Sequence, residues 1–133
     1  MHIALLEDNA SILEIFSVVL TKTGYLVSTY TYGDSLLTAF TGALDSQGRL
    51  PCDLLIVDLH LPGALSGLDV IEQVQHLSAP QLFPTIVVSA ASDHELALVQ
   101  TRYPTFPILK KPLKLSALLQ AIASLRSPHT MCD

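Results

Sequence analysis

Three acids and one lysine stand where apolar runs end, a place where a charge has no obvious structural benefit. Asp58 follows Leu54-Leu55-Ile56-Val57, Glu7 and Asp8 follow Ile3-Ala4-Leu5-Leu6, and Lys111-Pro112 closes a third run. Such runs read as buried strands, and open α/β sheets place their ligands at the carboxyl ends of their strands. Clustered carboxylates repel one another and raise each other's pKa values, which a divalent cation relieves. Mg²⁺ takes oxygen ligands and keeps several waters. In this reading Asp8 and Asp58 coordinate Mg²⁺ directly, Glu7 holds one of its waters, and the backbone carbonyl of His60 supplies a further ligand. Asp58 is then a carboxylate nucleophile toward phosphorus. Lys111 pairs with the phosphoryl oxygens and Ser89, at the end of another run, donates a hydrogen bond to them, so catalysis is mainly positioning and charge neutralisation.

Those residues need a scaffold that brings strand ends together. Apolar patterning predicts strands over 2–6, 25–30, 53–57, 85–89 and 106–110. Between and after them lie five helical patterns. Ile12, Ile15, Phe16, Val19 and Leu20 mark the inner face of the first, which Asn9 or Ser11 caps and Gly24 stops. Leu36, Leu37, Phe40 and Leu44 mark the second; Leu68, Ile71 and Val74 the third, entered through a flexible 63–67 connection. Leu96 and Val99 mark the fourth, which Ser92 or Asp93 caps, and Leu115, Leu118, Leu119 and Ile122 the fifth, with a frayed tail from Ser127.

Strict alternation of strand and helix implies a parallel sheet covered on both faces, a flavodoxin-like doubly wound (βα)₅ α/β fold with strand order 2-1-3-4-5. Pro107 inside the fifth strand agrees with that order, because a strand proline belongs on an edge. Strands one and three are then neighbours, and Glu7, Asp8 and Asp58 converge.

Composition narrows the classes. At 133 residues the chain is one domain, with residues 1–127 as the folded unit and 128–133 as a tail or the start of a linker. Only 14% of residues are charged, against roughly 25% in a typical domain, which hints at a partner surface. A net charge of −5, with no basic cluster beyond Lys110, Lys111 and Lys114, argues against direct binding to nucleic acid or an anionic membrane. No apolar stretch approaches a membrane span and no signal-peptide pattern begins the chain. Cys52 and Cys132 form no disulfide framework or metal spacing and read as free thiols in a reducing, cytoplasmic setting.

Taken together, Leu5-Leu6-Glu7-Asp8, Val57-Asp58-Leu59-His60-Leu61-Pro62, Val88-Ser89-Ala90 and Lys110-Lys111-Pro112 resemble the receiver domain of two-component response regulators. That resemblance spans nearly the whole chain. It implies a signalling module and not an enzyme acting on a separate substrate. Asp58 receives a phosphoryl group from a histidine kinase or histidine phosphotransfer protein with Mg²⁺ and loses it slowly by self-catalysis. The change is read on the face made by the fourth helix, fifth strand and fifth helix, by an output domain, a separate target or a homodimer. The resemblance also implies a cis Lys111-Pro112 bond and an inward turn of Ser89 on phosphorylation. His60 and Ala91 stand where the family tunes dephosphorylation.

One position departs from the pattern. Receivers usually carry an aromatic three residues before the late lysine, and here that position is Ile108. The departure keeps a rival in play, a receiver-shaped interaction module with impaired or no phosphorylation switching. Two other rivals fit less well. A haloacid-dehalogenase-type phosphatase needs a second aspartate where His60 stands, and a flavodoxin-type flavin carrier needs a phosphate loop where anionic Glu7-Asp8-Asn9 stands.

Overall fold

A computed structural model describes residues 1–131, with side chains through Leu125. The elements alternate without exception: β1 (His2–Leu6), α1 (Ala10–Thr23), β2 (Leu26–Tyr30), α2 (Gly33–Ala43), β3 (Leu54–Val57), α3 (Gly67–Ser78), β4 (Thr85–Ser89), α4 (Asp93–Arg102), β5 (Ile108–Lys110) and α5 (Leu115–Met131). All neighbouring strands pair parallel in the order β2-β1-β3-β4-β5. The flavodoxin-like α/β architecture is therefore as the alternation predicts.

Strand side chains alternate between two cores, as a period of two requires. Ala4, Leu6, Leu55, Val57 and Val87 face one cluster with Leu36 and Phe40 of α2, Val70, Ile71 and Val74 of α3, and Leu96 and Val99 of α4. Ile3, Leu5, Leu54, Ile56, Ile86 and Val88 face the other, with Phe16 and Leu20 of α1 and Leu118 and Ile122 of α5. The three inner strands are buried on both faces, which is why they read as continuous apolar runs. Among the described residues no helix is long and apolar enough to cross a membrane.

Local chemistry fixes the helix ends near the strand tips. Asn9 Oδ1 accepts from Ile12 N (3.1 Å), and Ser92 Oγ accepts from Glu95 N (3.2 Å). Ser66 and Asp69 cap α3 reciprocally. Gly24 ends α1 at φ 108°, a left-handed backbone that glycine adopts without a Cβ penalty.

Several boundaries differ from the sequence reading. The fifth strand begins at Ile108 and not at Phe106. Phe106 N donates to Tyr103 O (3.1 Å) and its ring stacks on Tyr103 at 4.8 Å, while Pro107 has no N–H for the ladder. Pro107 therefore flanks the edge strand, its carbonyl accepting from Val87 N (2.9 Å). Ile15 is 51% exposed, since the inward face of α1 turns toward Ile12, Leu13, Phe16 and Leu20. Helix α5 is assigned through Met131, past the predicted fraying point at Ser127; residues 132–133 lie outside the described residues.

The 63–67 connection is not flexible at its end. Gly67 is buried, its N–H donates to Leu59 O (2.8 Å), and an added Cβ would collide with the backbone of Asp58 and Leu59. Gly67→Ala must therefore push that backbone aside. We expect a loss of about 1–3 kcal/mol in urea denaturation, the usual cost of overpacking, together with disturbed chemistry at Asp58.

Cys52 is free and buried, while Cys132 lies outside the described residues. Burial pushes the Cys52 thiol up to about 12, from a model-compound value of 9.0. The fold thus holds the neutral thiol, whereas the unfolded chain ionises first. Stability falls as pH rises from about 9 toward about 12. In a Cys132→Ser background, Cys52 should react with thiol reagents at pH 8 only at the rate of unfolding.

Candidate functional site

Parallel register carries the three acids to one place. Leu6 pairs with Val57, and Asp58 N donates to Leu6 O (3.2 Å), so the residues after each strand emerge side by side. One ligand oxygen from each of Glu7, Asp8 and Asp58 lies within 4.8 Å of the others. Glu7 and Asp58 are buried, while Asp8 is exposed and leaves the cluster open to solvent.

The remaining strands deliver the hydroxyl and the cation. Ser89, the last residue of β4, is fully buried and donates to Asp58 Oδ1 (2.8 Å). Lys111 N donates to Ser89 O (2.9 Å), which anchors the residue after β5 beside the end of β4. Lys111 Nζ then donates to Glu7 Oε1 (2.5 Å) and Asp58 Oδ2 (2.9 Å). The Lys111-Pro112 peptide is cis, as the resemblance implies. Backbone N–H groups complete the shell: His60 N donates to Asp58 Oδ1 (3.2 Å) and Asn9 N to Glu7 Oε2 (3.0 Å).

Three carboxylates against one ammonium leave two formal negative charges, the charge of one divalent cation. Burial raises the pKa of Glu7 above the ordinary carboxylate value, despite the opposing bonds from Lys111 and Asn9. Burial works to lower the pKa of Lys111, but the bonds and charges of Glu7 and Asp58 outweigh it and hold the ammonium charged to higher pH. An all-oxygen donor set with this charge fits a hard cation such as Mg²⁺.

The sequence-predicted Glu7, Asp8, Asp58, Ser89 and Lys111 are thus brought together. His60 contributes its N–H to the shell, and its ring turns outward to Glu95, 2.7 Å away. Ser89 differs from expectation, because its hydroxyl is already inward on Asp58 and has no inward turn left to make. It also accepts from Ala91 N (3.2 Å), so the start of the β4–α4 loop hangs from it.

Ile108 is partly buried and packs against the α2–α3–α4 core. Lys110 reaches Asp93 Oδ1 at 2.5 Å. Asp93 and Glu95 escaped sequence reasoning altogether as partners of Lys110 and His60. Only the three-dimensional placement of α4 links residues that far apart.

Residues 3–123 match the family described as Response regulator receiver domain. The chain belongs to that family. It is 29% identical to the transcriptional regulatory protein GlrR of Escherichia coli (strain K12), over 91% of this chain and 25% of that protein. It is 30% identical to the response regulator protein TmoT of Ectopseudomonas mendocina, over 90% of this chain and 50% of that protein. The receiver therefore spans between a quarter and half the length of these curated relatives. Its fold is also that of response regulator protein TrrA from Thermotoga maritima, solved in complex with Mg²⁺-BeF. The TM-score is 0.75 at 22% identity, covering 93% of this chain and 97% of that chain. Receiver domains are signalling proteins of two-component systems that bind Mg²⁺ at acidic residues, and this receiver presents an acidic cluster that could hold a metal.

Proposed function

We propose that this receiver accepts a phosphoryl group on Asp58, with Mg²⁺, from a histidine kinase or histidine phosphotransfer protein. The observation that carries the reading is the meeting of Asp58, Ser89, Lys111, Glu7 and Asp8 in one solvent-open cluster. TrrA, which shares the fold, was solved with Mg²⁺ and BeF, and that supports the same ligands here.

Asp58, Asp8 and Glu7, with the backbone carbonyl of His60, form the set that would hold the metal. When bound, Mg²⁺ supplies charge neutralisation for the incoming phosphoryl oxygens. A carboxylate oxygen of Asp58 attacks phosphorus, a P–O bond to aspartate forms, and the P–N bond to the donor imidazole breaks. Lys111 shifts its hydrogen bond from Asp58 to a phosphoryl oxygen, and Ser89 does likewise without leaving its buried place. In discharge, water attacks phosphorus, the P–O bond to Asp58 breaks, inorganic phosphate is released and Asp58 returns as carboxylate.

The folded unit is proposed as residues 1–127, working in the cytoplasm. Its response is read on the α4–β5–α5 face by an output domain, a separate target or a second copy, without direct contact to nucleic acid or membrane. Ile108 at the usual aromatic position favours one rival, a receiver-shaped interaction module with impaired or no phosphorylation switching.

Acetyl phosphate separates the proposal from the form of that rival that takes no phosphoryl group. With Mg²⁺, the protein's intact mass should rise by one phosphoryl group, and chelation of Mg²⁺ should abolish the gain. An unchanged mass in both conditions contradicts the proposal and supports the rival.

A further inference from the structure

Helix α4 is tied to the site from two sides by contacts outside the acid cluster. On one side Glu95 Oε2 pairs with His60 Nε2 (2.7 Å), and the N–H of His60 bonds to Asp58. On the other, Asp93 Oδ1 pairs with Lys110 Nζ (2.5 Å), and Lys110 directly precedes Lys111, whose Nζ bonds to Asp58. β4 lies between β3 and β5, so the two tethers leave the first turn of α4 in opposite directions. A third hold comes from the backbone, through Ala91 N on Ser89 Oγ.

Beyond these holds and the Ser92 cap, whose Oγ accepts from Glu95 N (3.2 Å) and donates to Glu95 Oε1 (3.4 Å), little fastens this turn. Of α4 only Leu96 and Val99 are buried, and both follow the first acids. Elements with few buried apolar contacts open at low free energy. The far end is fastened separately, by Arg102 on Glu72 (3.1 Å). A lightly packed first turn, pinned by the Asp93–Lys110 ion pair and the Glu95–His60 hydrogen bond to the neighbours of Asp58 and Lys111, is built to respond to charge.

We propose that the Asp93–Lys110 and Glu95–His60 pairs couple Asp58 to α4, taking the part that an aromatic at position 108 cannot play here. The proposal rests on Asp58 as phosphoacceptor. Phosphorylation turns the single negative charge of the Asp58 carboxylate into up to about two on the phosphoryl oxygens, a net gain of about one. With Mg²⁺ bound in both states, that added charge attracts Lys110 and repels Asp93 and Glu95, so both pairs weaken and the first turn of α4 loosens. All four side chains are substantially exposed. Pairs of that kind shift an equilibrium by about two- to fivefold each, enough for two of them to bias a marginal element without unfolding the domain.

Hydrogen exchange of the α4 amides tests this on the full chain, in Mg²⁺ throughout and with or without beryllofluoride, while ¹⁹F NMR reports the adduct independently. In the wild type the adduct should form and α4 exchange should rise. Lys110→Met leaves the sequence of α4 intact and should raise exchange of the unliganded protein by about two- to fivefold. Asp93→Asn with Glu95→Gln should raise it further and shrink the response to the adduct. Salt should speed exchange in the wild type and not in the double variant.

If the adduct forms in all three proteins and α4 responds equally in each, the coupling proposal is overturned. It is also overturned if Lys110→Met changes nothing, because the acids then act only on the helix dipole. Failure of the wild type to give an adduct signal would instead remove Asp58 as acceptor, and the coupler with it.

Discussion

Asp58→Asn is expected to abolish phosphorylation by acetyl phosphate, reducing the adduct to background while leaving the fold intact. An amide oxygen is a poor nucleophile toward phosphorus, so the loss comes from chemistry and not from packing. The remaining contacts tolerate the change. Asn Oδ1 still accepts from Ser89 Oγ and His60 N, as Asp58 Oδ1 does at 2.8 and 3.2 Å. Only the bond from Lys111 to Oδ2 is lost, and Lys111 keeps Glu7 at 2.5 Å. Removing one of three mutually repelling acids offsets part of that loss. Thermal or urea denaturation should therefore place the variant within about 1 kcal/mol of the wild type, with intact mass showing no phosphoryl gain.

Lys111→Met is expected to act on both stability and chemistry. Its ammonium sits between two buried carboxylates, with side-chain exposures of 14% for the lysine and 3% and 8% for Glu7 and Asp58. Breaking a buried pair from one side costs about 3–5 kcal/mol. Two features reduce that figure. Asp8 keeps one side of the cluster open to solvent, and Glu7, whose pKa burial already raises, can take up a proton. We expect about 2–3 kcal/mol, a fall in Tm of roughly 10 °C. Mg²⁺ should recover part of it, because the cation fills the same electrostatic need. Phosphorylation should remain impaired at saturating Mg²⁺, since a divalent ion on the acids does not replace a donor aimed at the phosphoryl oxygens. A variant with wild-type stability and wild-type phosphorylation would contradict this role for the lysine.

The strands at Ile3–Leu6, Leu54–Val57 and Thr85–Ser89 were legible because burial on both faces leaves an uninterrupted apolar run in the sequence. Once their order is granted, Glu7, Asp8 and Asp58 follow, since each acid is simply the next residue after a buried strand. The edges were less legible. β5 is three residues long, and its start depends on the Phe106–Tyr103 turn and stacking, which no periodicity records. Ile15 carries the right spacing for the core and still faces water, because helical spacing sets a stripe and not its rotation about the sheet.

Gly67 reads as slack in one dimension and proves to be a close approach in three. The side-chain contacts of Asp93 and Glu95 join residues 17 and 35 positions apart, so only tertiary placement of α4 brings them together.

The most direct test of the central claim is to locate the phosphoryl group. Protein treated with acetyl phosphate and Mg²⁺ can be reduced with borohydride, digested and sequenced by mass spectrometry. The account predicts modification of Asp58 alone, lost when Mg²⁺ is chelated. Modification of Glu7 or Asp8 instead, or equal labelling of Asp58 without Mg²⁺, would contradict it.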